Sequence, residues 1–145
     1  MKIFFLSNQN SCRSQMAEAI LRSYGGNLKI YSAGIFPSDH VSDIAIEVMA
    51  EKGINLEPHI PEHYTRFDDI EFDYLITVGD GTVEELRIPP IKYKRKMHLG
   101  FHNPYANSRN KEEIRQKCRE IRDEIMTEMD YFYNRILKSK REKSI

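Results

Sequence analysis

Cysteine is scarce in this chain: there are two among 145 residues, Cys12 and Cys118, at a separation that fits neither a zinc-ligand spacing nor a disulfide framework. An excess of charge is missing too, since 22 basic residues balance 22 acidic ones and the formal net charge is zero. No global field then favours nucleic acid or a membrane surface, and any preference for an anion has to be local. Neither a secretory apolar core nor a run of about 18 apolar residues occurs. Nothing in the sequence asks for export or membrane spanning, and a reducing cytoplasm is the expected setting. Internal repeats and composition breaks are absent as well, so one domain with a sizeable core is expected over residues 1–137. Residues 138–145, which include Lys138, Lys140, Arg141 and Lys143, read as a basic, solvated tail.

What is present is an alternation of apolar runs with helical periods, the pattern of a parallel sheet flanked by helices in an α/β fold. The spacing predicts strands over residues 2–6, 28–32, 72–78 and 93–97. A first helix is expected over 15–24, burying Met16, Ala19, Ile20 and Leu21, and ended by Gly25-Gly26. A second, ending near Gly53, turns Ile44, Val48 and Met49 inward. A short helix is expected at 83–86, and a long one over 111–137 with Ile114, Ile121, Ile125, Met129 and Phe132 inward.

The junction of the first strand with the first helix carries most of the chemical information. Apolar residues 3–6 lead into Ser7-Asn8-Gln9-Asn10-Ser11-Cys12-Arg13-Ser14 and then into the helix. In such a loop successive backbone N–H groups can converge on an anion, the helix macrodipole adds positive potential, and Arg13 can supply a bidentate fork. Asn8, Gln9, Asn10, Ser11, Cys12 and Arg13 are therefore the expected oxyanion-binding residues. Covalent cleavage of a P–O bond here needs a thiolate directly after the strand, and the chain has Ser7. A hydroxyl has no comparable ionised population and would need an adjacent base, which the loop does not offer.

Residues 7–18, S-N-Q-N-S-C-R-S-Q-M-A-E, are similar to the phosphate loop of the low-molecular-weight protein tyrosine phosphatases, and most of all to their thioredoxin- or glutathione-coupled arsenate reductase branch. The resemblance extends through Tyr31-Ser32-Ala33-Gly34, Lys52-Gly53-Ile54, residues 73–77, Gly100-Phe101-His102-Asn103-Pro104 and Ile121-Arg122-Asp123-Glu124-Ile125. It implies a phosphatase I-like fold, a three-layer domain around a four-stranded parallel sheet in the order 2-1-3-4. The loop would then lie at the carboxyl end of the first strand, where open α/β sheets usually bind ligands.

The same resemblance implies roles. Ser7 stands at the nucleophile position, Arg13 at that of the anion-holding arginine, and Asn103 where the family carries its general-acid Asp before Pro. Ser14 is placed to donate a hydrogen bond to the nucleophile. The resolving cysteines that the reductase branch carries after the third strand are missing from residues 78–90. Asn103 can donate a hydrogen bond but cannot hand a proton to a leaving oxygen, help that is typically worth about 10²–10⁴ in rate. Asn103 before Pro104 also suits a simple turn. Without a second thiol, a reductase cycle would depend on an external one such as glutathione.

Asn10, Glu18, Ser32 and Glu62 match positions that hold a potassium ion in some arsenate reductases of the family, although the last is Asp there. The same residues can instead form a hydrogen-bond network that fixes the loop, and no other cofactor is expected. Cys12 is expected to be a buried structural residue, and Cys118, on a helix in a charged setting, has no assigned role. His98 and His102, spaced by four in an expected loop, lack a third metal ligand nearby. Tyr105 is placed to wall the mouth of a pocket. Three functions stay open at this point. One is a catalytically impaired binder of phosphate, arsenate, sulfate or a phosphorylated partner residue. A second is an arsenate reductase or tyrosine phosphatase whose Cys at position 7 was replaced by Ser. The third is an interaction protein on the same fold with an empty cradle.

Overall fold

The first strand, β1 (Lys2–Ser7), is apolar from Ile3 to Leu6 because both of its faces are covered. Ile3 and Phe5 enter one hydrophobic cluster, Phe4 and Leu6 another, as the two-residue period of a strand requires. The structure, a computed structural model, describes residues 1–80 and 88–138. After β1 come α1 (Arg13–Arg22), β2 (Lys29–Gly34), α2 (Asp43–Ala50), β3 (Glu71–Gly79), β4 (Lys92–Gly100) and α3 (Lys111–Tyr131). A 3-10 turn, Tyr64–Phe67, precedes β3, and α3 runs on into a π-helical turn, Phe132–Leu137.

All strand pairs are parallel and the order is β2-β1-β3-β4, as expected. The register sets Ser7 beside Gly34 and Leu6 beside Thr77, so β1, β2 and β3 end at one edge of the sheet. That common edge carries the loop 8–12. On one face lies the larger cluster, in which α1, α2 and α3 bury Met16, Leu21, Val48, Met49, Ile121 and Ile125 against Ile3, Phe5 and Ile76. On the other face Phe4 meets Phe72 edge-to-face with ring centroids 4.6 Å apart, and Phe67 of the 3-10 turn closes over them.

Several boundaries differ from expectation. Helix α1 starts at Arg13 rather than at residue 15, because the loop hands over to the helix through Cys12, a residue type that gives no capping signal. Strand β2 runs on to Gly34, and β4 to Gly100. His98 therefore lies in a strand and not in a loop. Ile44 and Ile114 are only partly buried, packed at the rim of the larger cluster. The helix expected at 83–86 and residues 139–145 of the expected tail lie outside the described residues. Strand β4 is an outer strand of the sheet, and Lys92, Lys94, Arg95 and Lys96 are all exposed along it. Among the described residues no helix is long and apolar enough to cross a membrane.

Helices α2 and α3 are locked by a buried guanidinium. Arg122, 5 % exposed, donates from Nη1 to the Val48 carbonyl (2.8 Å) and to Glu51 Oε1 (2.8 Å), and from Nε to Asp123 (2.9 Å). Arg119 binds the same Glu51 carboxylate at 2.9 Å. The hydrogen bonds from Arg119 and Arg122 hold the Glu51 carboxyl down at about 2, against an ordinary 4.5. A carboxyl with a depressed folded-state value stabilises the fold above its unfolded value and loses that contribution as pH falls through the folded one. Stability should therefore decline between about pH 4.5 and 2 partly through this group, and Glu51→Gln should flatten that part of the profile. Urea unfolding at a series of acid pH values measures it.

Candidate functional site

The loop after β1 is held from outside by its own carbonyls. Ile35, Phe36, Ser38 and Ser42 donate their backbone N–H groups to the carbonyls of Ser7 (3.0 Å), Asn8 (2.7 Å), Gln9 (3.0 Å) and Ser11 (2.8 Å). In a trans peptide the N–H of the next residue points opposite to the carbonyl. The N–H groups of Asn8, Gln9, Asn10 and Cys12 are thereby turned to the inner side of the loop. Gly34 makes this close approach of β2 feasible, since a Cβ there would lie 2.8 Å from the Asn8 carbonyl oxygen.

Asn10 fixes the bend. It takes φ +52°, a left-handed conformation that Asn tolerates better than most residues, and it is 1 % exposed. Its Nδ2 donates to Ser14 Oγ (2.9 Å) and Ser32 Oγ (3.0 Å), and its Oδ1 accepts from Glu62 N (3.0 Å) and Gln15 Nε2 (3.0 Å). Its own N–H reaches Ser7 Oγ at 3.0 Å, and Ser7 Oγ lies 2.7 Å from Ser14 Oγ. Ser7 thus sits at the base of the loop, buried, with two hydrogen-bonding neighbours and no carboxylate or imidazole among them. Helix α1 begins at this point without a side-chain cap from Cys12, so its first amides face the loop uncovered.

A cavity of about 770 Å³ opens over the loop and brings together Ser7, residues 8–14, Asp80, Asn103 and Tyr105. Arg13 does not reach freely into it. Its Nη1 is bound to Asp80 Oδ1 at 2.5 Å and to the Phe101 carbonyl at 2.8 Å. Asn103 lines the cavity and also makes a turn, its Oδ1 accepting from Tyr105 N at 3.0 Å and its carbonyl from Ala106 N at 3.1 Å. Tyr105 stands at the mouth with its hydroxyl on Ser42, and burial pushes that hydroxyl up to about 12.

The four residues matched to a potassium site lie together beside the loop. Asn10 bonds Ser32 Oγ and the Glu62 amide, and Ser32, Glu18 and Glu62 line a second cavity beside the loop. The two carboxylates already have side-chain partners: Glu18 meets His59 Nδ1 at 3.1 Å and the Arg22 guanidinium at 3.7 Å, and Glu62 meets the Arg66 guanidinium at 3.6 Å. His98, on β4, binds Thr77 Oγ1 through Nδ1 at 2.7 Å, and among the described residues no group of three or more His, Cys, Asp or Glu is arranged to hold a metal.

Comparison with known proteins decides the ancestry. The family described as "Low molecular weight phosphotyrosine protein phosphatase" matches residues 2–142. The chain belongs to this family. It is 31 % identical to an arsenate reductase of Bacillus subtilis over 131 residues, which covers 90 % of this chain and 93 % of that protein. A thioredoxin-dependent arsenate reductase of Corynebacterium glutamicum superposes with a TM-score of 0.69 at 27 % identity, covering 95 % of this chain and 62 % of that one. An arsenate reductase solved in its phosphate-binding state superposes with a TM-score of 0.77 at 24 % identity, over 93 % and 98 % of the two chains.

Two residues escape a reading of the sequence alone. Asp80 directly follows β3, and only the adjacency of β1 and β3 brings it to Arg13. Cys118 is fully buried in the larger cluster, contrary to the charged setting of its neighbours, and its thiol lies beside that of Cys12. The spacing Ile114, Cys118, Ile121, Ile125 on α3 was the available signal. The neighbouring Cys118 thiol and burial push the Cys12 thiol well above its ordinary value, which disfavours the reactive thiolate at Cys12.

Two outcomes follow from this geometry. Iodoacetamide at neutral pH should label neither Cys12 nor Cys118 faster than the protein globally unfolds, as mass spectrometry with and without urea will show. Asn10→Ala strips partners from Ser14, Ser32, Gln15 and the Glu62 amide, and should cost roughly 3 kcal/mol or more in urea-measured stability.

Proposed function

We propose that this protein is an oxyanion-binding, catalytically impaired member of its family, acting in a reducing cytoplasm on a small oxyanion or a phosphorylated partner residue. The outward anchoring of the loop carbonyls, which turns the amides of Asn8, Gln9 and Cys12 inward beside the uncapped start of α1, carries this reading. Both contacts of Arg13 run through Nη1, which leaves the rest of its fork to an incoming anion. The impairment rests on Ser7, whose hydroxyl has no base among its described hydrogen-bond partners, and on Asn103, whose amide has no proton to give a leaving group. Arsenate or phosphate is bound here and not turned over.

Calorimetry should detect phosphate or arsenate binding that Arg13→Ala abolishes, with no hydrolysis of an aryl phosphate above a protein-free control. Absence of heat and of any thermal shift at high anion concentration would refute the binding. Ser7→Cys should give a thiol of depressed pKa, because Asn10 N–H and Ser14 Oγ are in place to bond it, and good turnover should need Asn103→Asp as well. Arsenate reduction by either variant should stay weak without an external thiol.

A second reading has one observation in its favour. A serine variant of the YwlE arginine phosphatase, which superposes with a TM-score of 0.71 at 24 % identity, was solved with its active-site serine phosphorylated. Ser7 could in the same manner take up a phosphoryl group and retain it. Peptide mass spectrometry after incubation with a reactive phosphoryl donor such as acetyl phosphate tests this, and a phosphate adduct on Ser7 is the outcome that supports it.

A further inference from the structure

We propose that Asp80 makes the cradle selective for tetrahedral oxyanions that still carry a proton, hydrogen phosphate and hydrogen arsenate, against fully deprotonated ones such as sulfate. The inference rests on the oxyanion-binding reading above and concerns which anion the same site accepts.

Arg13 is not a free cation at the rim of the cavity. Its side chain is 19 % exposed, and its Nη1 is anchored at once to the Asp80 carboxylate at 2.5 Å and to the backbone carbonyl of buried Phe101 at 2.8 Å. The carbonyl is part of the backbone just after β4 and cannot swing away as a side chain would. An anion that binds the remaining edge of this guanidinium, over the inward amides, therefore comes to rest close to Asp80, which lines the same cavity. The guanidinium is one small planar group, so a carboxylate on one of its edges and an oxyanion on another are neighbours.

The consequence depends on whether the anion has a hydrogen to offer. A carboxylate is purely an acceptor. Sulfate at neutral pH is also purely an acceptor, so the two can only repel. Hydrogen phosphate and hydrogen arsenate each keep one O–H at neutral pH, and that O–H can donate to Asp80 in a charge-assisted bond. Among the described residues the other charges at the cavity do not blur the contrast: Glu47 is paired with Arg115 at 2.7 Å, and Asp43 and Lys111 on the rim oppose each other in sign. Asn103 Oδ1 is a neutral acceptor that already takes the Tyr105 N–H, so it offers that O–H a weaker bond than the charged carboxylate of Asp80 does. Asp80 itself is 56 % exposed, so water weakens the effect and the expected discrimination is moderate.

The experiment is calorimetric titration of the full chain, and of its Asp80→Asn variant, with sodium phosphate and with sodium sulfate at constant ionic strength. The parent should bind phosphate at least about tenfold more tightly than sulfate. In Asp80→Asn the ratio should fall to within about threefold of unity, chiefly through a gain in sulfate affinity. Asn keeps the size of the side chain and Asp80 is largely exposed, so the variant should fold, as a thermal melt will verify. Equal binding of both anions by the parent, or an unchanged ratio in the variant, overturns the selectivity while leaving the cradle intact. An equal gain for both anions also overturns it, showing Asp80 to be a mere competitor for Arg13. Binding of neither anion by either protein removes the cradle reading and this proposal with it.

Discussion

The candidate site depends on four main-chain hydrogen bonds that pull the loop carbonyls outward. They come from residues 35–42, the segment that leads from β2 to α2, and they fix which way each peptide plane faces. Once those planes are set, the convergent amides need no further ordering when a ligand arrives, and preorganisation of this kind is what makes backbone dipoles effective. Asn10 holds the tightest point of the bend with both ends of its amide in use, and Gly34 leaves room for the loop to lie against β2. The sheet contributes by ending β1, β2 and β3 at one edge, so that the loop has a floor.

This arrangement separates holding from reacting. The contacts that shape the loop are made by main-chain atoms and by Asn10, Gln15 and Ser32, none of which would break or form a covalent bond. Ser7 and Asn103, which the resemblance sets at the nucleophile and general-acid positions, each have a structural use: Ser7 accepts the Asn10 N–H and Asn103 closes a turn. Serine at position 7 keeps an acceptor for the Asn10 N–H and asparagine at 103 keeps one for the Tyr105 N–H, so these two residue types suit the loop as it stands. The proposed loss of chemistry with retention of the cradle is physically coherent for that reason.

Much of the fold was legible because it rests on local pattern. The apolar run at residues 3–6, the 3.6-residue spacing of Met16, Ile20 and their neighbours, and the turn at Gly53 all mark elements that exist. Strand order came instead from family resemblance, since nothing in a strand's own residues names its neighbour. Arg13 was legible as a candidate, but its capture by Asp80 was not, because that contact spans 67 residues and exists only once β3 lies beside β1. Cys118 was hidden by Lys117 and Arg119, whose charges obscure the fact that its own position falls on the inward face of α3. His98 was misplaced for a related reason. Basic residues dominate the start of β4, and the strand's true length shows only in its pairing with β3 through Gly100.

That basic stretch has a consequence for how the chain behaves in a crowded solution. A protein with no net charge lacks the general repulsion that keeps molecules apart, and an outer strand is the natural place for a second molecule to add itself. Here the outer strand opposite β2 carries Lys92, Lys94, Arg95 and Lys96 within five residues. Two such edges brought together would stack like charges against one another at the spacing of neighbouring strands, an arrangement that is destabilising in any sheet. The molecule thus concentrates at one border the repulsion that its overall balance of charge gives up, and the sheet stops at its fourth strand.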